Sequence, residues 1–145
     1  MFGSEDGRPH QLEIAMKDYQ DVYMTPGAFS WNELSSPDPR KATEFYGTLF
    51  GWRFDTMNLG QGDYHVVKVG EVAVGGVMQQ QHPGPAMWGA YVTVESCDAT
   101  VEKAKGLGAT VCAGPFDIPT IGRMAVLQDP QGAVIQVISY FPRTE

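Results

Sequence analysis

One order of elements runs through this chain twice, and that repetition limits the fold more than any single motif does. In the first half, residues 28–34 alternate Phe29, Trp31 and Glu33 on one face with Ser30, Asn32 and Leu34 on the other, as a strand with two different faces would. Asp38 then stands where it can N-cap a helix, and Pro39 suits a first helical turn because it has no amide hydrogen to leave unpaired. Ala42, Phe45, Tyr46, Leu49 and Phe50 make an apolar stripe at helical spacing, and Gly51 supplies a left-handed stop. These signals predict a helix over 39–50. Strands over 52–58, 64–69 and 72–79 come next, separated by Gly60-Gln61-Gly62-Asp63 and Gly70-Glu71, which is the pattern of an antiparallel meander.

After a break at Pro83-Gly84-Pro85 the same order starts again. Residues 88–95 alternate as a strand, 98–107 carry Val101, Ala104 and Leu107 on a short helix, and Gly108 stops it. Residues 109–113, 124–128 and 133–140 read as strands, the last two joined by Asp129-Pro130-Gln131-Gly132, with the Pro and Gly positions of a type I turn. Between 113 and 124, Pro115 to Arg123 reads as a long connection punctuated by two prolines, fit for a rim or lid. The halves overlay at an offset of about 57 to 61 residues, Gly51 on Gly108 and Ala42 on Ala99. The expected class is α+β, built from two βαβββ modules over 28–80 and 87–141 within one domain, 27–145. Residues 1–26 read as a leader in which Leu12, Ala15, Met16, Tyr19, Val22 and Tyr23 favour a short amphipathic helix over 12–23, closed by Thr25-Pro26-Gly27.

At 145 residues and 43% hydrophobic the chain suits one compact domain with a real core. The net charge of -7, with no basic cluster or stripe, argues against nucleic acid or an anionic membrane surface as partner. Cys97 and Cys112 show no CxxC or metal spacing and are expected to be reduced, buried thiols. The acidic, polar start has neither the basic end nor the apolar run of a signal peptide, and no stretch approaches the ~20 apolar residues of a membrane span. A cytoplasmic location is expected.

The paired modules, the helix segment EFYGTLFGW, the DPQG turn into the last strand, and the runs SWNELSSPD, VGGVM and PFDIPTIGRMAVLQDPQGAVI together resemble the vicinal oxygen chelate superfamily. That group includes glyoxalase I, bleomycin-resistance proteins and extradiol dioxygenases, and the resemblance runs from about Gly27 to Tyr140, closest to small bacterial glyoxalase-like members. It implies eight strands curled into a partly closed mixed-sheet cup with the helices outside. It also implies that any metal ligands come from inward positions on the first and last strand of each module. Those positions map onto Trp31, Gly75, Gly89 and Gln136, of which only Gln136 could ligate. A divalent ion needs three or four converging His, Glu or Gln side chains. No metal or other cofactor is therefore expected, and shifting the register does not fill the site. Glu33, His65 and Gln136 are the residues a noncanonical metal site would have to use.

Without a chelate, the first strand still offers Phe29, Trp31 and Glu33 as an aromatic wall with one carboxylate, suited to a planar or cationic organic ligand. Glu33 is the candidate general acid or base, since desolvation among aromatics raises a carboxyl pKa. Gln136 could orient a ligand carbonyl or bond Glu33 across the cup, His65 between Tyr64 and Val66 is either a half-buried strand histidine or a ligand-binding or catalytic group, and Arg123 either forms a salt bridge or meets an anionic ligand group. The expected function is metal-independent small-molecule binding. Its rivals are a lyase or isomerase using Glu33, a metal-dependent glyoxalase or dioxygenase, and an interaction protein with a filled cup. Exposed sheet edges lead to the expectation of a homodimer.

Overall fold

The computed structural model describes residues 19–58 and 62–142. Eight strands form one mixed sheet: β1 (Phe29–Ser36), β2 (Arg53–Asn58), β3 (Asp63–Val69), β4 (Val72–Gln79), β5 (Met87–Thr93), β6 (Thr110–Ile118), β7 (Gly122–Gln128) and β8 (Val134–Tyr140). Helix α1 (Pro39–Phe50) follows β1 and helix α2 (Cys97–Gly106) follows β5, so each half is a βαβββ module. Across the sheet the order is β2-β3-β4-β1-β5-β8-β7-β6. The first strand of each module lies at the centre, where β1 and β5 pair antiparallel and stitch the modules together. Each also pairs parallel with the last strand of its own module, β1 with β4 and β5 with β8.

The helices form where their caps dictate. Asp38 accepts the Lys41 amide at 3.2 Å, Pro39 occupies the first turn, and Gly51 adopts a left-handed φ of 73° with its amide bonded to the Gly47 carbonyl. Ser96 caps α2 in the same way through the Ala99 amide at 3.2 Å. Under α1, Leu34, Val67 and Val77 form a buried cluster with Ala42, Tyr46, Trp52 and Phe54 around it. Under α2, Cys97, Val101, Ala125, Leu127 and Val137 do the same. Val77 and Ala125 are wholly buried, and removing a side chain the size of Val77 from water contributes about 1.5–3 kcal/mol. The helices occupy one face of the sheet, and the other face is left to form the cup.

Several expectations need correction. The segment from Pro115 to Arg123 is mostly strand rather than a long connection: β6 runs through Pro115 to Ile118, a short turn comes after it, and β7 starts at Gly122, while Phe116 to Pro119 border the larger cavity of the cup and Ile118, Thr120 and Ile121 the smaller, as a rim would. Proline is tolerated there because β6 is an edge strand, where a missing amide hydrogen breaks no ladder on the open side. The expected helix over 12–23 lies mostly outside the described residues; its C-terminal part falls in a 3-10 helix, Tyr19–Met24. Cys112 is exposed rather than buried, while Cys97 is buried, and both thiols are free. The turn at Asp129 forms as the sequence suggests, with the Gly132 amide on the Asp129 carbonyl at 3.0 Å.

Candidate functional site

Glu33 sits mid-strand on β1 with Gly76 of β4 on one side and Gly89 of β5 on the other. Because both neighbours lack side chains, longer ones reach over them. The Tyr64 ring of β3 lies across Gly76 so closely that a Cβ there would be 2.1 Å from the tyrosine Oη. Gln136 of β8 lies across Gly89, where a Cβ would meet its Nε2 at 2.7 Å. The Tyr64 hydroxyl donates to Glu33 Oε2 at 2.7 Å and the Tyr91 hydroxyl to Oε1 at 3.1 Å. Trp31 Nε1 donates in turn to Tyr64 Oη at 2.9 Å. The result is a continuous polar bridge, Trp31 to Tyr64 to Glu33 to Tyr91, set in an apolar surround.

Burial pushes the Glu33 carboxyl above the usual carboxylate range, against the opposing pull of the two tyrosine hydrogen bonds. Burial, then the Glu33 charge, also pushes both tyrosines well up, so their hydroxyls remain proton donors at any ordinary pH. A carboxylate held this way keeps unused lone pairs, since two oxygens offer about four acceptor sites and the tyrosines occupy two.

The bridge borders two cavities. The larger, about 660 Å³, has Met78, Trp88, Phe116, Met124 and Val126 among its apolar walls and Glu33, Gln80, His82 and Gln136 among its polar groups. The smaller, about 400 Å³, is bounded by Tyr23, Trp31, Asp55, Lys68, Tyr140 and Phe141, with Glu33, Tyr64 and Tyr91 again at its inner wall. Tyr23 of the 3-10 helix forms part of its wall: the ring meets Tyr140 edge-on at 5.2 Å and tilts against Trp31 at 6.4 Å. Hydrogen bonds from the Tyr23 hydroxyl to the Ala73 carbonyl and from Thr93 Oγ1 to the Val22 carbonyl fasten that segment down.

Of the residues expected in the site, Trp31, Glu33 and Gln136 face the cup. Three do not. Phe29 is 64% exposed and lies outside both cavities, because a register shift between Phe29 and Trp31 breaks the alternation and turns Ser30 inward, onto the Tyr140 hydroxyl at 2.7 Å. His65 follows the inward Tyr64 and so projects to the opposite face, where its Nδ1 lies 2.8 Å from Thr56 Oγ1. Arg123 is engaged outside the cup, with Nε 3.0 Å from Asp98 and Nη1 3.0 Å from Asp117. Glu33 bonds neither Arg123 nor Gln136; the Gln136 amide donates to the Ala90 carbonyl at 3.1 Å.

Of the four mapped positions, Trp31, Gly89 and Gln136 border the cup, whereas a bulge at Val74, where Val67 pairs with Gly75 but Lys68 with Ala73, brings Gly76 rather than Gly75 inward. Glu33 stands beside them, flanked by Gly76 and Gly89. Among the described residues no group of three His, Cys, Asp or Glu could hold a metal ion. This donor set does not fit a divalent cation: one carboxylate has both oxygens held by tyrosine hydroxyls, and neither glycine can carry a ligand without striking Tyr64 or Gln136. Tyr64, Tyr91, Met124 and the aromatic pair Tyr23 and Tyr140 were missed by sequence reasoning. Tyr91 was within reach, being two residues along the strand from the inward Gly89.

Comparison with known proteins bears on the whole domain. The family model described as "Glyoxalase-like domain" matches residues 32–138. The chain is 42% identical over 119 residues to "Putative glyoxylase CFP32" of Mycobacterium tuberculosis, across 81% of this chain and 46% of that protein. It is 32% identical over 128 residues to "Anthracycline biosynthesis protein DnrV" of Streptomyces peucetius, across 77% of this chain and 46% of that protein. It therefore spans about half the length of the curated relatives it matches. Methylmalonyl-CoA epimerase from Mycobacterium tuberculosis superposes with a TM-score of 0.61 at 16% identity, covering 80% of this chain and 89% of that one. A Bacillus halodurans protein, BH1468, does so with a TM-score of 0.61 at 12% identity, covering 81% and 96%. At such identities these two structures speak to the fold alone. The fold, the family model and the curated relatives agree: the chain belongs to the glyoxalase-like family of the vicinal oxygen chelate superfamily.

Proposed function

We propose that the protein binds a planar aromatic small molecule in the larger chamber of its cup, without a metal. One observation carries this reading: a concave space of about 660 Å³ with apolar and aromatic walls, in which Glu33 and Gln136 stand together at Gly89 among the polar groups. Such a space suits a drug-sized ligand, its walls providing the burial and its polar end the orientation. Trp88 and Phe116 offer ring faces, Met78 and Met124 adaptable apolar contact, and Gln136 both a donor and an acceptor for ligand carbonyls and hydroxyls. The name of the Streptomyces relative, an anthracycline biosynthesis protein, supports trying that aromatic class first.

The test is a titration of doxorubicin, a fluorescent anthracycline, followed through its own emission and by calorimetry. Saturable one-to-one binding that survives exhaustive chelation and weakens about 5- to 30-fold in Gln136→Ala supports the reading, on the scale of a hydrogen bond worth about 1–2 kcal/mol. Binding unaffected by Gln136→Ala, or lost on chelation, refutes it for this ligand class.

A further inference from the structure

We infer that the smaller chamber is a second binding site, selective for a compact organic cation such as a quaternary or protonated amine. It lies across the Tyr64–Glu33–Tyr91 bridge from the larger chamber, and its chemistry differs. The walls are aromatic, with Tyr23 and Tyr140 edge to face at 5.2 Å and Trp31 tilted beside Tyr23. The inner wall is the Glu33 carboxylate, whose remaining lone pairs have no basic side chain beside them among those lining the cavity except Lys68. Lys68 already has a counterion, Asp55, at 3.5 Å.

The charged groups bordering the chamber are thus Glu33, Asp55 and Lys68; the last two answer one another, so whenever Glu33 is ionised, the form its two tyrosine hydrogen bonds favour, the chamber carries one net negative charge beside its aromatic walls. A cation there gains from the ring faces and from Glu33 at once, each attraction being stronger beside apolar ring walls than in bulk solvent. An anion would face Glu33 with a lysine already engaged. A neutral ligand of equal shape would gain only the burial. The chain's net charge of -7 adds a long-range pull in the same direction.

The experiment compares choline with dimethylbutanol, its uncharged carbon isostere, and uses phenyltrimethylammonium as the larger probe, by calorimetry and by tryptophan emission. Choline is expected to bind at least about 10-fold more tightly than its isostere, and phenyltrimethylammonium to quench the emission saturably. Trp31→Leu should weaken both cations about 2- to 30-fold, the range of cation–π attraction from exposed to desolvated sites. Glu33→Gln should weaken them by about 10-fold or more, whereas Trp52→Phe, which changes a ring under α1, should leave affinity unchanged. Equal binding of choline and its isostere, absence of saturation at millimolar cation, or full affinity in a folded Glu33→Gln protein overturns the inference. Should Glu33→Gln fail to fold, Trp31→Leu decides the matter, and unchanged cation affinity there is the refuting result. Doxorubicin is titrated in parallel, so failure of the larger chamber to bind it is read separately from failure of the smaller to bind a cation.

Discussion

Replacing Gly76 by Ala adds a single methyl group at the point where the site is tightest. The new Cβ would lie 2.1 Å from Tyr64 Oη, 2.2 Å from Cζ and 2.3 Å from Cε1, so three atoms of a rigid ring stand where it must go. Elsewhere in the chain an alanine at an ordinary extended glycine would stabilise by about 0.4–1 kcal/mol through the unfolded state. Here the ring must either strain, at about 1–3 kcal/mol, or swing away from Gly76. Swinging away breaks the 2.7 Å bond to Glu33 and removes the acceptor from Trp31 Nε1, a loss of about 1.5–3 kcal/mol for the charged bond alone. We expect a net destabilisation of about 2 kcal/mol. With a urea slope of about 1–3 kcal/mol per molar, the unfolding midpoint falls by about 1 M. The decisive control is the same substitution in a Tyr64→Ala background, where the obstruction is gone and Gly76→Ala should be neutral or slightly stabilising. A midpoint unchanged by Gly76→Ala in the native background, or a drop of equal size in both backgrounds, refutes the claim that the Tyr64 ring is seated on Gly76.

The raised Glu33 pKa gives a signed dependence on pH. Its folded value lies above the unfolded 4.5, so the folded state holds more protons in that interval; the stability this gives is full below about 4.5 and is lost as pH rises through the folded value. Glu33→Gln has no such loss, and its urea midpoint relative to the native protein should climb with pH across that window; a constant difference would contradict it. Phe29→Ser, His65→Ala and Arg123→Ala should leave doxorubicin and choline affinities at native values by calorimetry, because none of the three reaches either cavity. The homodimer expected from sheet edges at β2 and β6 should appear in light scattering at twice 15.9 kDa, and a monomer mass at micromolar concentration would remove it.

What the sequence made legible was whatever is decided locally. Asp38, Pro39 and Gly51 fix α1 within a few residues of themselves, and the same is true of the turn at Asp129. The duplicated order of elements was readable because each glycine stop and strand run carries its own signal. Facing was not local. The bulges at Ser30 and at Val74 each move a side chain across the sheet, and nothing in the residues around them announces that shift. Phe29 and Gly75 were misplaced for that reason, and Gly76 was overlooked. The continuation of β6 beyond residue 113 was hidden by Pro115, which reads as loop until the sheet order places β6 at an edge. The Tyr64 and Tyr91 clasp on Glu33 is a meeting of residues 31 and 58 positions apart, visible only after four strands, β3, β4, β1 and β5, are in register.

Among the described residues, the seam between β1 and β5 is the only hydrogen-bonded strand pairing between the two modules in the sheet order, and the polar bridge straddles it. Trp31, Glu33 and Tyr64 come from one module, while Tyr91, Met124 and Gln136 come from the other. Each half therefore carries an incomplete fragment of the floor, and severing the backbone in the connection near Pro83 would give two pieces that are chemically mute apart. Mixed together, they would regain the Tyr91 contact to Glu33 only by re-forming the seam, which makes ligand recognition a direct readout of fragment complementation.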